Sequence, residues 1–145
     1  MEYMTVYQKK TDRAACLPYY CIGSDIKLLF MKPSNPDYGG SYFQLAKGRV
    51  DPGYTIKETA KKEVMEEVGL SEENIKNMFF VTADNIKNYT VYLYAAEVID
   101  PNNLLPFDYE TGEVQWIDTK DISTKVRRCQ HDMIYKAIET IIKHE

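Results

Sequence analysis

Apolar residues in the first third of the chain form runs that predict β-strands. Ala14 to Ile22 and Ile26 to Met31 are largely apolar or aromatic, and the intervening Gly23-Ser24-Asp25 suits a turn, so together they predict a β-hairpin. The segment from Lys32 to Ser41 has two prolines and two glycines, which predicts a loop. A short strand is predicted over Tyr42 to Ala46. The beginning of the chain is therefore expected to be mostly β-structure.

A helix is predicted between Thr55 and Gly69. Glu58 follows Thr55 at the spacing of a capping box, in which each side chain bonds a free backbone N–H of the first turn. Gly69 tolerates the left-handed conformation that commonly ends a helix. Before this helix, Gly48 and the Asp51-Pro52-Gly53 segment have the composition of turns.

The second half of the chain predicts further strands and a last helix. A short helix is expected from Ser71, and a loop between Pro101 and Pro106. The segments with strand character are Met78 to Ala83, Tyr89 to Val98 and Glu113 to Ile117. The last segment has isoleucines at helical spacing, namely Ile134, Ile138, Ile141 and Ile142. This order favours an α+β or sandwich arrangement in which helices cover a mixed sheet.

Length and composition narrow the class of protein. A chain of 145 residues fits a single domain over residues 1–145. Its net charge of -4 gives no general attraction to nucleic acid, so a nucleic-acid partner is not expected. Three cysteines, an odd number without metal-type spacing, suit free thiols in a reducing compartment. The first residues lack the apolar core of a signal peptide and no apolar run could span a membrane, so we expect a cytoplasmic protein without a membrane partner.

Three glutamates on the predicted helix are the strongest candidates for chemistry. At 100° per residue Glu63 and Glu67 lie on one line of the helix and Glu66 lies about a quarter turn away, so the three carboxylates can converge. Glu63 and Glu67 also fall beside Ile56 and Ala60 on the apolar side. We therefore expect these acids to border the buried face.

Such an arrangement favours a bound cation. Like charges at i and i+4 destabilise a helix by a few tenths of a kcal/mol, and desolvation adds to the cost. Carboxylate oxygens are the ligands that hard divalent ions such as Mg²⁺ prefer. The alternative is a solvated Glu/Lys face, which Glu58, Lys61 and Lys62 would extend.

The segment from Gly48 to Leu70, GRVDPGYTIKETAKKEVMEEVGL, resembles the Nudix box, whose pattern is G-x5-E-x7-R-E-U-x-E-E-x-G-U with U aliphatic. The matching positions are Gly48, Glu63, Val64, Glu66, Glu67, Gly69 and Leu70. Tyr54 stands where the box has its first glutamate, and Lys62 where it has arginine. The resemblance implies a Nudix hydrolase, with a mixed β-sheet sandwiched between α-helices.

The resemblance also implies roles for particular residues. Glu63, Glu66 and Glu67, with the backbone carbonyl of Gly48, would bind Mg²⁺ or Mn²⁺, and water would attack a phosphorus of a diphosphate. Lys62 keeps the charge of the box arginine without its planar two-pronged contact, which loosens the orientation of the carboxylates.

The remaining site residues lie outside the three glutamates. The general base is a glutamate of the box or an acid from a loop across the cleft, for which Glu113 is preferred to Glu110 because it precedes Trp116 in a recurring family pattern. Arg49 and Lys47 flank Gly48 and could contact phosphate, with solvent exposure as the alternative. Aromatic residues that could stack on a base are Tyr19, Tyr42, Phe43 and Tyr92. His131 and His144, in the last segment, are given no role.

The expected substrate is a nucleotide-type small molecule. The phrase AKGRVDPGY resembles the KG-x-V-x-PG phrase of dinucleoside polyphosphate hydrolases, while other small members of the family act on ADP-ribose, on FAD or NADH, or on nucleoside triphosphates. We expect a dinucleoside polyphosphate, ADP-ribose or FAD/NADH type of substrate. The alternatives are a nucleoside triphosphate pyrophosphohydrolase and a non-catalytic nucleotide-binding Nudix module. A monomer or a homodimer is expected.

Overall fold

The computed structural model describes residues 11–38, 40–86 and 88–145, and its framework is a six-stranded mixed sheet. The strands are β1 (Arg13–Ile22), β2 (Asp25–Pro33), β3 (Ala46–Arg49), β4 (Ile75–Ile86), β5 (Tyr89–Val98) and β6 (Thr111–Asp118). The helices are α1 (Ile56–Val68), α2 (Ile122–Lys125) and α3 (His131–His144). Short 3-10 turns occupy Glu72–Asn74, Thr119–Asp121 and Arg128–Gln130.

Along one edge, β1 pairs with two different strands. The strand order of the sheet is β4-β5-β1-β2-β6, with β1 parallel to β5 and the other neighbouring pairs antiparallel. On the edge away from β5, the second half of β1 pairs with β2, whereas its first half pairs with β3. Beyond Leu28, β2 no longer pairs with β1, and β3 takes its place. A cleft opens where β2 and β3 diverge.

Each face of the sheet is covered by one long helix. On one face Leu17, Leu28 and Leu93 pack in a buried cluster with residues of α3 such as Ile134 and Ile141. On the other face Ala14, Cys16, Leu29 and Tyr94 pack in a second cluster with residues of α1, which are Ile56, Ala60, Val64 and Val68. Alternate residues of each strand face opposite sides, so one strand serves both clusters. The predicted mixed sheet between helices is confirmed.

Several elements differ in extent from the prediction. The strand expected over Tyr42 to Ala46 is reduced to isolated bridges at Phe43 and Gln44, and β3 begins only at Ala46 because its partner β1 pairs with residues 46–49. Gly48, expected in a turn, lies within β3. The helix expected from Ser71 is one 3-10 turn, because β4 begins directly after it at Ile75.

The hairpin, β5 and the last helix lie where the sequence places them. In α3 the predicted face is buried at Ile134 and Ile141, and Ile142 lies at its exposed border. Cys16 is buried, Cys21 and Cys129 are exposed, and all three are free thiols. Within the described ranges, no helix has both the length and the apolar character needed to cross a membrane.

Candidate active site

Helix α1 is fixed at both ends by the features that the sequence predicts. The Thr55 side chain accepts a hydrogen bond of 3.0 Å from the Glu58 N–H, and the Glu58 carboxylate accepts one of 2.8 Å from the Thr55 N–H. At the other end Gly69 has a φ of 76°, and its N–H donates to the Met65 carbonyl. Both caps are confirmed, and the packing of Ile56, Ala60, Val64 and Val68 on the sheet sets the rotation of the acidic side of the helix.

Glu63 and Glu67 form a hydrogen-bonded pair at the edge of the buried face. Both side chains are half-buried, and Glu67 also accepts a hydrogen bond from the Lys47 backbone. Burial, followed by the hydrogen bond with Glu63, raises the pKa of Glu67 to about 9. Burial also raises the pKa of Glu63. The raised pKa values favour a proton held within the pair, which reduces the repulsion between two desolvated carboxyl groups.

The close approach of α1 to β3 explains the glycine at position 48. A Cβ atom at Gly48 would overlap the carboxylate of Glu63. A larger residue here would force the Glu63 carboxylate to move away, so glycine keeps this carboxylate against the β3 backbone. The structure therefore brings together Gly48, Glu63 and Glu67, which are three of the four predicted metal-binding positions.

Glu66 is the predicted ligand that the structure does not gather with the pair. Its side chain is half-buried, and its backbone carbonyl accepts a hydrogen bond of 2.7 Å from the Asp108 N–H. Among the residues that the structure describes, no three His, Cys, Asp or Glu side chains are close enough together to hold a metal ion. The negative charge of Glu66 raises the pKa of Glu63, after burial, so without a cation a third carboxylate is repelled by the pair.

The residues present suit a hard divalent cation. Glu63 and Glu67 offer carboxylate oxygens at a half-buried position, and no basic side chain of the described ranges forms a salt bridge with either. A cation would replace the shared proton and balance their desolvated charge. The donor set therefore fits Mg²⁺ or Mn²⁺.

Glu67 faces a cleft of about 460 Å³ that lies between β2, β3 and the turn before β6. The lining residues are Arg13, Met31, Pro33, Tyr38, Gln44, Leu45, Lys47, Arg49, Glu67 and Glu110. Lys47 and Arg49, predicted as phosphate contacts, are thus on the same cleft as Glu67. Burial lowers the pKa of Lys47, the charge of Arg127 lowers it further, and Glu67 raises it.

The two candidate bases occupy different positions. Glu110 lines the cleft, and its backbone carbonyl accepts a hydrogen bond of 2.9 Å from the Ser34 N–H at the end of β2. Glu113 lies on β6 opposite Lys32, with 3.9 Å between the Lys32 Nζ and a carboxylate oxygen. It is not among the residues that line the cleft, and its side chain is 55% exposed.

The two positions that depart from the Nudix box contact each other. The Lys62 Nζ lies 2.6 Å from the Asp51 carboxylate and 5.4 Å from the centre of the Tyr54 ring. The hydrogen bond with Asp51 is the main reason why the pKa of Lys62 is raised. Lys62 therefore ties the turn after β3 to α1 and, in this structure, bonds Asp51 rather than the glutamate pair.

We expect Lys62→Ala to lower kcat/KM about tenfold, because it frees the turn that follows Gly48 while leaving the carboxylates in place. Tyr54→Ala should lower it less, since the ring contributes only a cation–π contact at an exposed position. Lys62→Arg should preserve or raise activity, because arginine can make two parallel bonds to Asp51. Steady-state kinetics on the three variants check this order, and equal small effects of both alanine variants would show that these roles are wrong.

Most of the aromatic residues considered for base stacking are buried. Tyr19, Phe43 and Tyr92 belong to the core, where a nucleotide base cannot reach them. Tyr42 is 55% exposed but lines a separate cavity with Arg128 and His131. His131 bonds the Val126 carbonyl and His144 stacks on Phe79, so each has a structural contact.

Three cleft residues with polar side chains, Arg13, Tyr38 and Gln44, were not among the candidates from the sequence. Tyr38 is 72% exposed at the rim of the cleft, and it lies in the predicted loop before residue 41. Arg13 reaches the cleft because β1 pairs with β3, which is a long-range contact. An exposed aromatic residue in a glycine- and proline-rich loop was the one local signal available.

Comparison with known proteins identifies the family. The NUDIX domain family matches residues 13–137. No curated protein matches the chain in sequence.

Solved structures share the fold at low sequence identity. A Caenorhabditis elegans Ap4A hydrolase, solved as a binary complex, is 18% identical with a TM-score of 0.73, covering 91% of this chain and 98% of its own. The NUDIX domain of Shewanella oneidensis NrtR, complexed with ADP ribose, is 13% identical with a TM-score of 0.74, and the match covers 93% of this chain and 90% of that domain. RenU, a Nudix hydrolase of M. smegmatis, is 16% identical with a TM-score of 0.73, and the match covers 93% of this chain and 89% of RenU. The chain therefore belongs to the NUDIX family, the family of the Nudix pyrophosphohydrolases that its acidic helix predicts.

Proposed function

We propose that this chain is a metal-dependent hydrolase that cleaves the pyrophosphate bond of a nucleoside diphosphate linked to another moiety. The observation that carries this proposal is the Glu63–Glu67 pair, desolvated and unpaired by any basic side chain of the described ranges, beside a cleft lined by Lys47 and Arg49. Acidic groups that suit a cation and basic groups that suit phosphate oxygens are together what a metal–diphosphate complex requires.

Each residue of the site has a defined task. Glu63, Glu66 and Glu67 would hold Mg²⁺ or Mn²⁺, with the backbone of Gly48 beside them. When bound, such an ion neutralises charge on the diphosphate and lowers the pKa of water. Lys47 and Arg49 would donate hydrogen bonds to the non-bridging phosphate oxygens.

The reaction is a displacement at phosphorus. The oxygen of a water molecule forms a bond to one phosphorus, and the bond from that phosphorus to the bridging oxygen breaks. The second phosphate group leaves with the bond electrons. A carboxylate accepts the proton of the water, and we assign this task to Glu110, because it lines the cleft and Glu113 does not.

A second candidate is a module that binds a nucleotide without cleaving it. The structure of the NrtR NUDIX domain holds ADP ribose, so a closely similar fold binds a nucleotide of the proposed class. The acidic helix of this chain favours hydrolysis, because Glu63, Glu66 and Glu67 are all retained.

A substrate panel in water enriched in oxygen-18 tests the reaction. The panel contains ADP-ribose, a dinucleoside polyphosphate, FAD, NADH and nucleoside triphosphates, each with Mg²⁺, with Mn²⁺ and with a chelator. We expect hydrolysis only with metal, two phosphate-bearing products from the preferred substrate, and the label on a phosphate of one product. ADP-ribose, for example, should give AMP and ribose 5-phosphate.

Other results would change the assignment. Release of inorganic pyrophosphate from triphosphates alone would favour a nucleoside triphosphate pyrophosphohydrolase. Tight binding without turnover of any compound would favour the binding module. Label on carbon, or full activity in chelator, would contradict the proposed chemistry.

A further inference from the structure

Basic side chains crowd one side of the cleft, and they form no salt bridge with any acid that the structure describes. Arg13 on β1 lies directly opposite Arg49 on β3, and Lys47 lies two residues before Arg49 on the same strand. All three line the cleft. Like charges at directly opposed positions of two strands destabilise a sheet. Such an arrangement therefore requires a compensating anion or carries a cost in stability.

Arg127 lies on a segment beside this basic surface, although it is not among the residues that line the cleft. Its N–H donates a hydrogen bond of 2.8 Å to the Phe43 carbonyl, and the side-chain oxygen of Gln130 accepts one of 2.8 Å from the Leu45 N–H. These bonds hold the segment of Arg127 against residues 43–45, and Leu45 lines the cleft. Arg127 is near enough to Lys47 for its charge to lower the pKa of that lysine, after burial.

Within the described part of the chain, none of the four residues forms a salt bridge. The Arg13 guanidinium contacts the carbonyl oxygens of Thr11 and Asp12 and lies 4.9 Å from the centre of the Tyr89 ring, and none of these groups neutralises its charge. Glu67, which accepts a hydrogen bond from the Lys47 backbone, is occupied by Glu63 or by the proposed cation. The positive charge is thus available to a ligand.

We propose that Arg13, Lys47, Arg49 and Arg127, here called the cationic wall, bind a chain of phosphates. Lys47 and Arg49 contact the two phosphates of the scissile bond, and Arg13 and Arg127 contact further ones, so that the preferred substrate has a bridge of three or more phosphates. This inference rests on the proposed function. Lys47 and Arg49 alone span about 7 Å along their strand, which suits a chain of phosphates better than one group. A substrate with two phosphates would leave Arg13 and Arg127 without a counter-charge.

Diadenosine compounds with two, three and four phosphates test the cationic wall, because only the number of phosphates changes. With Mg²⁺ and the native chain, kcat/KM should rise at least about tenfold from two to four phosphates. Arg127→Ala and Arg13→Gln should each lower kcat/KM about tenfold for the four-phosphate compound, as expected for a lost charge-assisted hydrogen bond. For the two-phosphate compound each should lower kcat/KM less than about twofold. Arg128→Ala is the matched control, because this adjacent exposed arginine lines the separate cavity with Tyr42 and His131, and it should leave kcat/KM for both compounds unchanged.

Calorimetric titration with inorganic pyrophosphate and tripolyphosphate separates the cationic wall from the hydrolytic reaction. In the same Mg²⁺ buffer, native protein should bind tripolyphosphate more tightly than pyrophosphate. Arg127→Ala should weaken the binding of tripolyphosphate about tenfold and leave the binding of pyrophosphate nearly unchanged. Two results would overturn the cationic wall while the proposed function stands. One is hydrolysis that does not depend on the number of phosphates, and the other is an equal loss of activity in Arg127→Ala or Arg13→Gln for every length of the phosphate bridge. Tripolyphosphate preference without hydrolysis of any compound would support the wall and contradict the proposed function.

Discussion

Glu67→Gln should lower kcat/KM by about a thousandfold while the fold is retained. Glu67 lies on the cleft, bonds Glu63 and the Lys47 backbone, and is the more strongly desolvated member of the pair. An amide keeps the size of the side chain but offers a cation only one neutral oxygen. Loss of several kcal/mol of charge stabilisation in the transition state corresponds to a factor of this size.

The control is Glu139→Gln, which neutralises an exposed glutamate on α3, away from the cleft. It should retain native activity. Without metal, Glu67→Gln should melt no lower than the native chain, because the amide removes a desolvated carboxylate whose charged form is disfavoured. Native turnover in Glu67→Gln, or a large loss in both variants, would contradict the assignment of the pair.

Glu110→Gln should lower kcat by about a hundredfold, and Glu113→Gln should change it less than about twofold. A positioned general base contributes about a hundredfold or more, whereas a solvated carboxylate contributes nothing to the reaction. Glu110 lines the cleft, whereas Glu113, on β6, is exposed and lies opposite Lys32 of β2. Each variant serves as the charge-matched control of the other.

The two variants are compared by kcat at saturating substrate and Mg²⁺. A large loss only in Glu113→Gln would restore the residue that the sequence pattern favours. Native rates in both would show that the proton goes to a glutamate of α1, and the assignment of a base across the cleft would be wrong.

Local sequence signals predicted α1 well because they act within one helical turn. The capping box at Thr55, the stop at Gly69 and the apolar spacing of Ile56, Ala60 and Val64 are local features, and each is present in the structure. They place Glu63 and Glu67 on the edge of the buried face without knowledge of the rest of the fold. The hairpin of β1 and β2 was equally local.

Features that depend on pairing between distant segments were not predicted. Strand β3 begins at Ala46 rather than at Tyr42, because β1 selects residues 46–49 as its partner. The same pairing places Arg13 opposite Arg49, and backbone contacts hold the segment of Arg127 against residues 43–45. No local motif distinguishes these arginines from solvated ones.

Glu66 shows where spacing along a helix stops being informative. Spacing allows all three carboxylates to converge, but the side chains respond to the charge around them. In the structure Glu63 and Glu67 bond each other, and among the described residues no third acidic side chain joins them. We therefore expect a cation, rather than the helix alone, to gather Glu66 with Glu63 and Glu67.

A titration with Mn²⁺ tests the central claim that the acidic pair is a cation site. Electron paramagnetic resonance measures the free ion and therefore gives the amount bound. The native chain and Glu139→Gln should bind Mn²⁺ equally. Glu67→Gln should bind it about a hundredfold more weakly or not at all, at least as large a loss as changes around a metal site commonly cause. Equal Mn²⁺ affinity in Glu67→Gln and the native chain would contradict the account.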